Sequence, residues 1–408
     1  MTPDHGSRAE TRSSAIRDDV KRLAYIDCLR GYAVLLVITA HLTYTYPTLP
    51  YPVHRLATLG WYGVQLFFLA SAITLMMSWS TEVIRHGRAD ALAFFLRRFF
   101  RIAPAYYAAA LFYYVITPPA AGVDLRQLAA WLGFLNDWHP ALTVEALGAW
   151  LVVPGGWSIS AEFSFYLVFP FVATLVTSQR RAFLLFAAVC LGTAVVNTVG
   201  QDIMLKRYEP EAISNFMFFW PPNQAPVFAL GILLFFVLKT LESQRIGSTR
   251  QYLTAGTLVL VVVGLMIFAS TAFLGLPKTL TFNIFRPPAL MQASFGFALI
   301  IIAFAFARLE LLVNRWIAFV GKISFSAYLT HFSVIELVAE PLARFAGRDA
   351  RDYAAIGAFA LGWLAVVAAT IIFSTLTYHL IEAPGISLGR RVIAVCQGMR
   401  RAQRSTSD

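Results

Sequence analysis

The stretch "YIDCLRGYAVLLVITAHL", from Tyr25 to Leu42, decides how the rest of the chain is interpreted. Its apolar residues continue for nearly the roughly 20 residues that a membrane-spanning helix requires. Arg30 near its start and His41 near its end interrupt the apolar pattern. Ionisable groups at membrane depth are costly and tend to mark pathways or reaction sites, so this helix is predicted to carry function as well as to anchor the chain.

The composition of the whole chain indicates an integral membrane protein. Of its 408 residues, 58% are hydrophobic and 13% are charged, about half the charged fraction of soluble domains. We therefore predict an all-α, polytopic membrane protein of about ten transmembrane helices in the lipid bilayer, with a membrane domain at 25–391 between polar basic tails at 1–24 and 392–408. The ten apolar runs are 29–46, 61–79, 103–117, 157–177, 182–200, 224–240, 251–273, 289–307, 323–341 and 353–381.

The distribution of basic residues predicts which side of the membrane each end of the chain occupies. The net charge is +11, and 23 of the 33 Lys and Arg residues lie in segments on the same side as the N-terminus, against nine on the opposite side. This imbalance is the positive-inside pattern. The charge therefore reports topology and not a nucleic-acid partner, and both termini are predicted to be cytoplasmic.

Arg30 and His41 are predicted to lie on one face of the first helix. They are eleven residues apart, which at about 100° per residue places them within roughly 20° of each other and some 16 Å apart along the axis. One face would then offer a cation at the inner end and a proton acceptor at the outer end. The structural alternatives are an arginine that snorkels to headgroups and a histidine satisfied by a neighbouring helix.

A cluster of arginines lies at the start of the third span, in "ALAFFLRRFFRIAPAYY". Arg97 and Arg101 are spaced i,i+4 and share one helical face, while Arg98 is angled toward a neighbouring face. Guanidinium groups at a membrane surface are well suited to binding phosphates. The alternative interpretation is that they contact lipid headgroups and set the topology.

The fourth span begins with a polar stripe, in "GGWSISAEFSFYLVFP". Ser158, Glu162 and Tyr166 recur at i, i+4 and i+8, which places all three on one helical face. Glu162 lies about 7 Å below the start of the span, a depth similar to that of His41 in the first span. The sequence therefore predicts that this carboxylate and the imidazole of His41 meet.

Two further spans carry weaker signals. Gln65 and Ser71 lie in the second span, and Ser324, Tyr328 and His331 lie in the ninth, where their i,i+4 and i,i+3 spacing favours one face. All five are interpreted as possible cavity-lining residues. Hydrogen bonding between helices is the alternative.

Near the end of the chain, Glu382 precedes Pro384 in "YHLIEAPG" and is interpreted as marking the end of the last span. The histidines and cysteines show no metal-ligand spacing, so neither a metal nor a tightly bound cofactor is predicted.

Five blocks in order make the chain similar to acyltransferase family 3, the polytopic enzymes that O-acylate bacterial surface sugars and related acceptors. "DCLRGYAVLLVITAH" resembles the opening Arg-x10-His segment, "RRFFRIAPAYY" the Arg-rich block, "WSISAEFSFYLVFP" the Trp-Ser-x-x-x-Glu block and "GKISFSAYLTHF" the late block that ends in Tyr-Leu-x-His. The closing "YHLIEAPGISLGRR" is similar too. The chain departs from the family at Gln65, where Asp is frequent, at Ala72, where Gly is frequent, and at Phe163, where an acidic residue is frequent.

The resemblance implies an O-acyltransferase, by family habit an O-acetyltransferase, in the inner membrane of a bacterium. Acyl-CoA would be a co-substrate from the cytoplasm, and the acceptor would be a hydroxyl of a sugar or glycan at or across the membrane. His41 would act as general base, with an acyl-histidine intermediate as the main rival mechanism. The other catalytic candidates are Glu162, Ser158 and Tyr166, and the candidates for the phosphates of CoA are Arg30, Arg97, Arg98 and Arg101.

Other function classes stay open at this point. A proton-coupled transporter or flippase of a sugar-containing substrate would use the same buried His, Glu and Arg as a relay, and a non-catalytic sensor is a third reading. Some relatives carry an additional periplasmic esterase-like domain, and because the chain ends after the tenth span, that second activity is expected to be absent. The sequence identifies neither the acceptor nor the oligomeric state.

Overall fold

The computed structural model describes residues 5–119, 122–142, 152–243, 250–276, 288–306, 311–346 and 350–405. Within these ranges the fold is helical and contains no strand, which confirms the all-α prediction. The helices are α1 (His5–Leu42), α2 (Tyr51–Thr58), α3 (Gly63–His86), α4 (Ala91–Ile116), α5 (Leu125–Leu132), α6 (Trp157–Leu175), α7 (Gln179–Met204), α8 (Pro210–Phe219), α9 (Pro221–Ser243), α10 (Arg250–Ser270), α11 (Ala289–Phe306), α12 (Arg315–Lys322), α13 (Ser324–Val334), α14 (Glu340–Ala346), α15 (Asp352–Thr377) and α16 (Ala383–Ser405).

Several of these helices are long and apolar enough to cross a membrane. Among the described residues there are eight such stretches, which confirms a polytopic membrane protein: 24–42, 51–86, 91–116, 157–175, 179–204, 212–243, 289–306 and 352–399. The two other predicted spans also fall on helices. One is α10, whose apolar part Gly256–Ser270 is shorter, and the other is α13 with the π-helical turn Ile335–Ala339 and α14.

The position of α1 is fixed by close backbone contact with α12. A Cβ atom added to Gly31 would lie 2.4 Å from the carbonyl oxygen of Ile317, and one added to Gly321 would lie 1.7 Å from the carbonyl oxygen of Asp27. Any side chain at these positions would force the two helices apart. This contact sets the rotation of α1 about its axis, and so the direction in which Arg30 projects.

Glu382 does not mark the end of a span, which corrects the sequence interpretation. A π-helical turn, Tyr378–Glu382, joins α15 to α16, and the helix continues past Pro384. A π turn shifts the backbone hydrogen-bond pattern by one residue, and a residue without an N–H is tolerated at the start of the helix that follows. Glu382 is buried, and its carboxylate accepts a hydrogen bond from Ser326 at 2.8 Å.

The departures from the family pattern have local packing explanations. Phe163 stacks on Phe134 with ring centroids 3.8 Å apart and planes within 3°, so the apolar side chain fills a buried aromatic layer. Ala72 faces Gly231, where an added Cβ atom would lie 2.7 Å from the Ala72 Cβ. Each of these positions is therefore occupied by a residue matched to its neighbour.

Candidate active site

A cavity of about 80 Å³ lies among α1, α3, α4, α6 and α13. It is called the arginine cavity here. Of the 13 site residues predicted from the sequence, nine line it: Arg30, Ser71, Arg98, Arg101, Ser158, Glu162, Tyr166, Ser324 and Tyr328. Helical spacing within each segment therefore predicted most of the lining, although the five helices are far apart in the chain.

Arg30 is held from two helices. Its Nη2 atom donates a hydrogen bond to Thr74 Oγ1 at 3.2 Å, and its Nη1 atom lies 3.6 Å from the carboxylate of Asp27, one turn earlier on α1. The sequence analysis missed both partners. The i,i+3 spacing of Asp27 and Arg30 was the available signal for the ion pair.

Arg98 and Arg101 project into the arginine cavity from α4, and neither forms an ion pair within the described parts of the chain. The guanidinium of Arg98 lies over the ring of Phe94 at 5.8 Å, and its buried Nε atom has no hydrogen-bond partner among the described residues. Arg97 lies elsewhere, because it pairs with Glu82 at 2.6 Å. The arginines that share the cavity-facing side of α4 are thus Arg98 and Arg101, not the predicted pair of Arg97 and Arg101.

Glu162 supplies the carboxylate of the arginine cavity. It accepts hydrogen bonds from Ser71 Oγ at 2.6 Å and from Tyr166 Oη at 2.5 Å. The Tyr166 contact follows from the i,i+4 spacing on α6, while Ser71 comes from α3. Three arginines and this one carboxylate line the cavity, so the cavity wall favours an anionic ligand.

Ser158 and Tyr328 join α6 to α13 at the cavity wall. Ser158 Oγ donates to Tyr328 Oη at 2.9 Å, and Tyr328 Oη donates to the carbonyl oxygen of Gly155 at 2.8 Å. Gly155 has φ of +74°, and an added Cβ atom would lie 2.9 Å from Tyr328 Oη. The Pro-Gly-Gly turn before α6 therefore provides both the backbone conformation and the open space that this contact requires.

His41 and His331 lie outside the lining of the arginine cavity and contact each other. Their ring centroids are 5.1 Å apart, and Phe332 packs on the His41 ring with centroids 4.5 Å apart. His41 Nδ1 lies 2.9 Å from the carbonyl oxygen of Val37. In the described structure His41 and Glu162 share no hydrogen bond, so the predicted contact between them is not found. Two residues at the same depth in different helices are neighbours only if those helices face each other there. The His41 ring packs against α13 instead.

Gln65 also lies outside the arginine cavity. Its Nε2 atom donates to Gln224 Oε1 at 3.0 Å, and nearby Asn197 Nδ2 donates to Asn223 Oδ1 at 3.0 Å. All four side chains are buried. These four residues, from α3, α7 and α9, are called the amide cluster here.

Together these features define a multi-pass helical membrane protein with a cationic cavity buried among its helices. The sequence model of acyltransferase family 3, described as an acyltransferase domain, matches residues 23–379. The chain belongs to this family of membrane O-acetyltransferases and is an acyl-transferring enzyme.

Two relatives illustrate the range of the similarity. The acyltransferase MdmB of Streptomyces mycarofaciens is 28% identical over 91% of this chain and 94% of its own length. The peptidoglycan O-acetyltransferase OatA of Listeria monocytogenes is 24% identical over 89% of this chain, and the match spans 56% of the OatA length. No solved structure matches the chain.

Proposed function

We propose that the protein transfers an acyl group, acetyl in the first instance, from acyl-CoA to a hydroxyl of a sugar or glycan. The observation that supports this most strongly is the convergence of Arg30, Arg98 and Arg101 on one cavity. Guanidinium groups bind phosphate oxygens through paired, charge-assisted hydrogen bonds. A CoA thioester carries phosphates at one end and the reactive carbon at the other, so its phosphates would bind these arginines while its reactive carbon extends beyond the cavity to His41.

His41 is the proposed general base. A carbonyl oxygen can only accept a hydrogen bond, so the 2.9 Å contact with Val37 places the hydrogen on Nδ1 and leaves Nε2 as a proton acceptor. His41 Nε2 would take the proton of the acceptor hydroxyl as its oxygen attacks the thioester carbon. The proton would then pass to the departing thiolate of CoA. Ser158 or Tyr166 would hydrogen-bond the acceptor or the developing oxyanion.

The size of the arginine cavity limits which part of the donor enters it. A volume of about 80 Å³ is well below the roughly 300–1,000 Å³ of cavities that enclose a whole ligand of this size class. The narrow pantetheine arm would therefore pass between the helices while the bulk of the nucleotide stays outside. Tyr328 lines the cavity, and its ring lies 5.6 Å from the ring of His331, which contacts His41. An arm that extends to His41 would therefore displace or bend around the hydrogen-bonded pair of Ser158 and Tyr328.

The proposal places the phosphate end on the cytoplasmic side of a bacterial inner membrane, with both termini on that side. The acceptor would approach the end of α1 that carries His41. Peptidoglycan is the first acceptor to test, because the name of the Listeria relative contains it. Surface polysaccharides, lipid-linked sugars and small glycosylated metabolites belong to the same chemical class.

The decisive experiment measures CoA release from acetyl-CoA by purified full-length protein, with peptidoglycan fragments and other glycans as acceptors. Acceptor-dependent CoA release that His41→Ala lowers by about 10²-fold or more would support the proposal. Trapped acyl-His41 in a single turnover without acceptor would replace direct transfer by the covalent route. Transport of a sugar-containing substrate without consumption of acetyl-CoA would favour a transporter.

A further inference from the structure

One ring nitrogen of His331 has no hydrogen-bond partner among the described residues. The residue is fully buried, and its Nδ1 atom lies 2.7 Å from the carbonyl oxygen of Tyr328. This contact places the hydrogen on Nδ1, so Nε2 is an acceptor. Nε2 is buried and has no hydrogen-bond partner among the described residues. A buried acceptor without a donor is destabilising, so its presence points to a donor that arrives in another state of the protein.

The neighbouring imidazole can become that donor. The rings of His41 and His331 are 5.1 Å apart at an angle of 61°, and each has its Nδ1 hydrogen directed to a backbone carbonyl in its own helix. While both rings are neutral, both Nε2 atoms are acceptors and cannot bond to each other. Once His41 takes a proton on Nε2, it carries a donor, and His331 offers the matching acceptor.

The carboxylate expected to stabilise a protonated His41 is engaged elsewhere. Glu162 accepts hydrogen bonds from Ser71 and Tyr166 in the arginine cavity, while the His41 ring packs against His331 and Phe332 on α13. A histidine base normally has a third group that holds it in its charged form. In His41 the Nδ1 atom, which such a third group would bond, already donates to the Val37 carbonyl, and the neutral ring of His331 packs beside the His41 ring.

We infer that His331 is a positioning residue for the acyl transfer. Its Nε2 atom accepts a hydrogen bond from His41 Nε2 while His41 holds the proton taken from the substrate hydroxyl. This inference rests on the proposed function of His41. The O–H bond of the acceptor breaks as its proton moves to His41, the new C–O bond forms, and the C–S bond of the thioester breaks. The proton then moves from His41 to the CoA thiolate, and His331 gains and loses only a hydrogen bond.

The test compares two replacements of His331 in the full-length protein, with acetyl-CoA as donor and a chito-oligosaccharide or water as acceptor. His331→Leu removes the acceptor atom, and His331→Gln retains one. His331→Leu loses a hydrogen bond to the charged His41 ring, and bonds of this kind are strong enough that kcat should fall by about 10- to 100-fold. The KM for acetyl-CoA should stay within about twofold because His331 does not face the arginines, and His331→Gln should recover much of kcat.

Thr330→Ala is the matched control on the same helix, since its hydroxyl bonds only to the Ser326 carbonyl within α13 among the described residues. A purely structural role for His331 would lower thermal stability and kcat together, with Gln no better than Leu. That result would overturn the inference, as would a kcat of His331→Leu within about threefold of the parent protein.

A double variant that combines His41→Ala with His331→Leu separates this inference from the proposed function. If His331→Leu does not fold, His331→Gln takes its place in the double variant. Because His331 acts through His41, changing His331 should cause no further loss when His41 is already absent. Independent, additive losses would overturn the inference. Full activity of His41→Ala would instead overturn the proposed base, and a His331 effect seen in that background would belong to another mechanism.

Discussion

The arginine cavity and the amide cluster are both built from polar side chains buried among membrane helices, yet their chemistry differs. In the amide cluster, neutral groups pair with one another, Gln65 with Gln224 and Asn197 with Asn223. The arginine cavity is lined by three arginines and one carboxylate. Burial of polar residues alone therefore does not identify a reaction site, whereas excess charge around a cavity points to a ligand.

The energetic cost of each arrangement explains the contrast. Hydrogen bonds between neutral side chains of neighbouring membrane helices contribute modestly and hold the helices together. Arg98 and Arg101 are partly buried and form no ion pair among the described residues, so they lower stability unless a ligand compensates their charge. The amide cluster is thus expected to serve the fold, and the arginine cavity to serve binding, which the following substitutions test from the largest expected effect to the smallest.

Replacing Arg98 and Arg101 together by Ala should have the largest effect. Each guanidinium would lose charge-assisted hydrogen bonds to the donor, so the KM for acetyl-CoA should rise by about 100-fold or more. Thermal stability should not fall, because neither arginine forms an ion pair within the described residues. Steady-state kinetics and thermal unfolding of the same preparation check both statements. An unchanged KM would remove these arginines from donor binding.

Glu162→Gln alters the same cavity, but it should lower kcat and not raise the KM for acetyl-CoA. Ser71 and Tyr166 both donate to Oε1, and the amide oxygen of Gln can still accept from both, so the substitution weakens these hydrogen bonds by removing the negative charge. We expect kcat to fall by about tenfold. The KM for acetyl-CoA should stay the same or decrease, because a negative charge that opposes the phosphates is removed. A large rise in KM would show that Glu162 helps to bind the donor.

Gln65→Leu should change stability and leave catalysis intact. The substitution leaves the buried Oε1 atom of Gln224 without its donor, which should lower the free energy of unfolding by about 1–3 kcal/mol. Turnover and KM at a temperature where the variant is folded should stay within twofold of the parent protein. A selective loss of turnover in a fully stable variant would place Gln65 in the active site and remove the contrast between the two regions.

Arg97→Ala should have the smallest effect and is the matched control for Arg101. Both arginines lie on α4 one turn apart, but Arg97 pairs with Glu82 in a partly exposed position. Such pairs contribute about 0–1 kcal/mol. The KM for acetyl-CoA should change less than twofold. A rise comparable with that of Arg101→Ala would mean that donor binding extends to the whole arginine cluster.

The sequence by itself determined the fold class and most of the cavity lining. Apolar runs of the right length can satisfy their backbone groups in a bilayer only as helices, so the polytopic all-α fold followed from composition and spacing. The 3.6-residue period then placed Glu162 and Tyr166 on one face of α6, where the structure joins them by a hydrogen bond. These features are local, because each depends on residues within one helix.

Only the tertiary structure decided which faces meet. It assigned Arg98 to the cavity and Arg97 to Glu82, paired Gln65 with Gln224, and turned His41 toward His331 and not toward Glu162. Helical periodicity gives the angle between residues on one helix but not the rotation of that helix against its neighbours. That rotation is set by contacts between distant segments, such as the glycine-mediated approach of α1 to α12, because close packing allows few relative orientations.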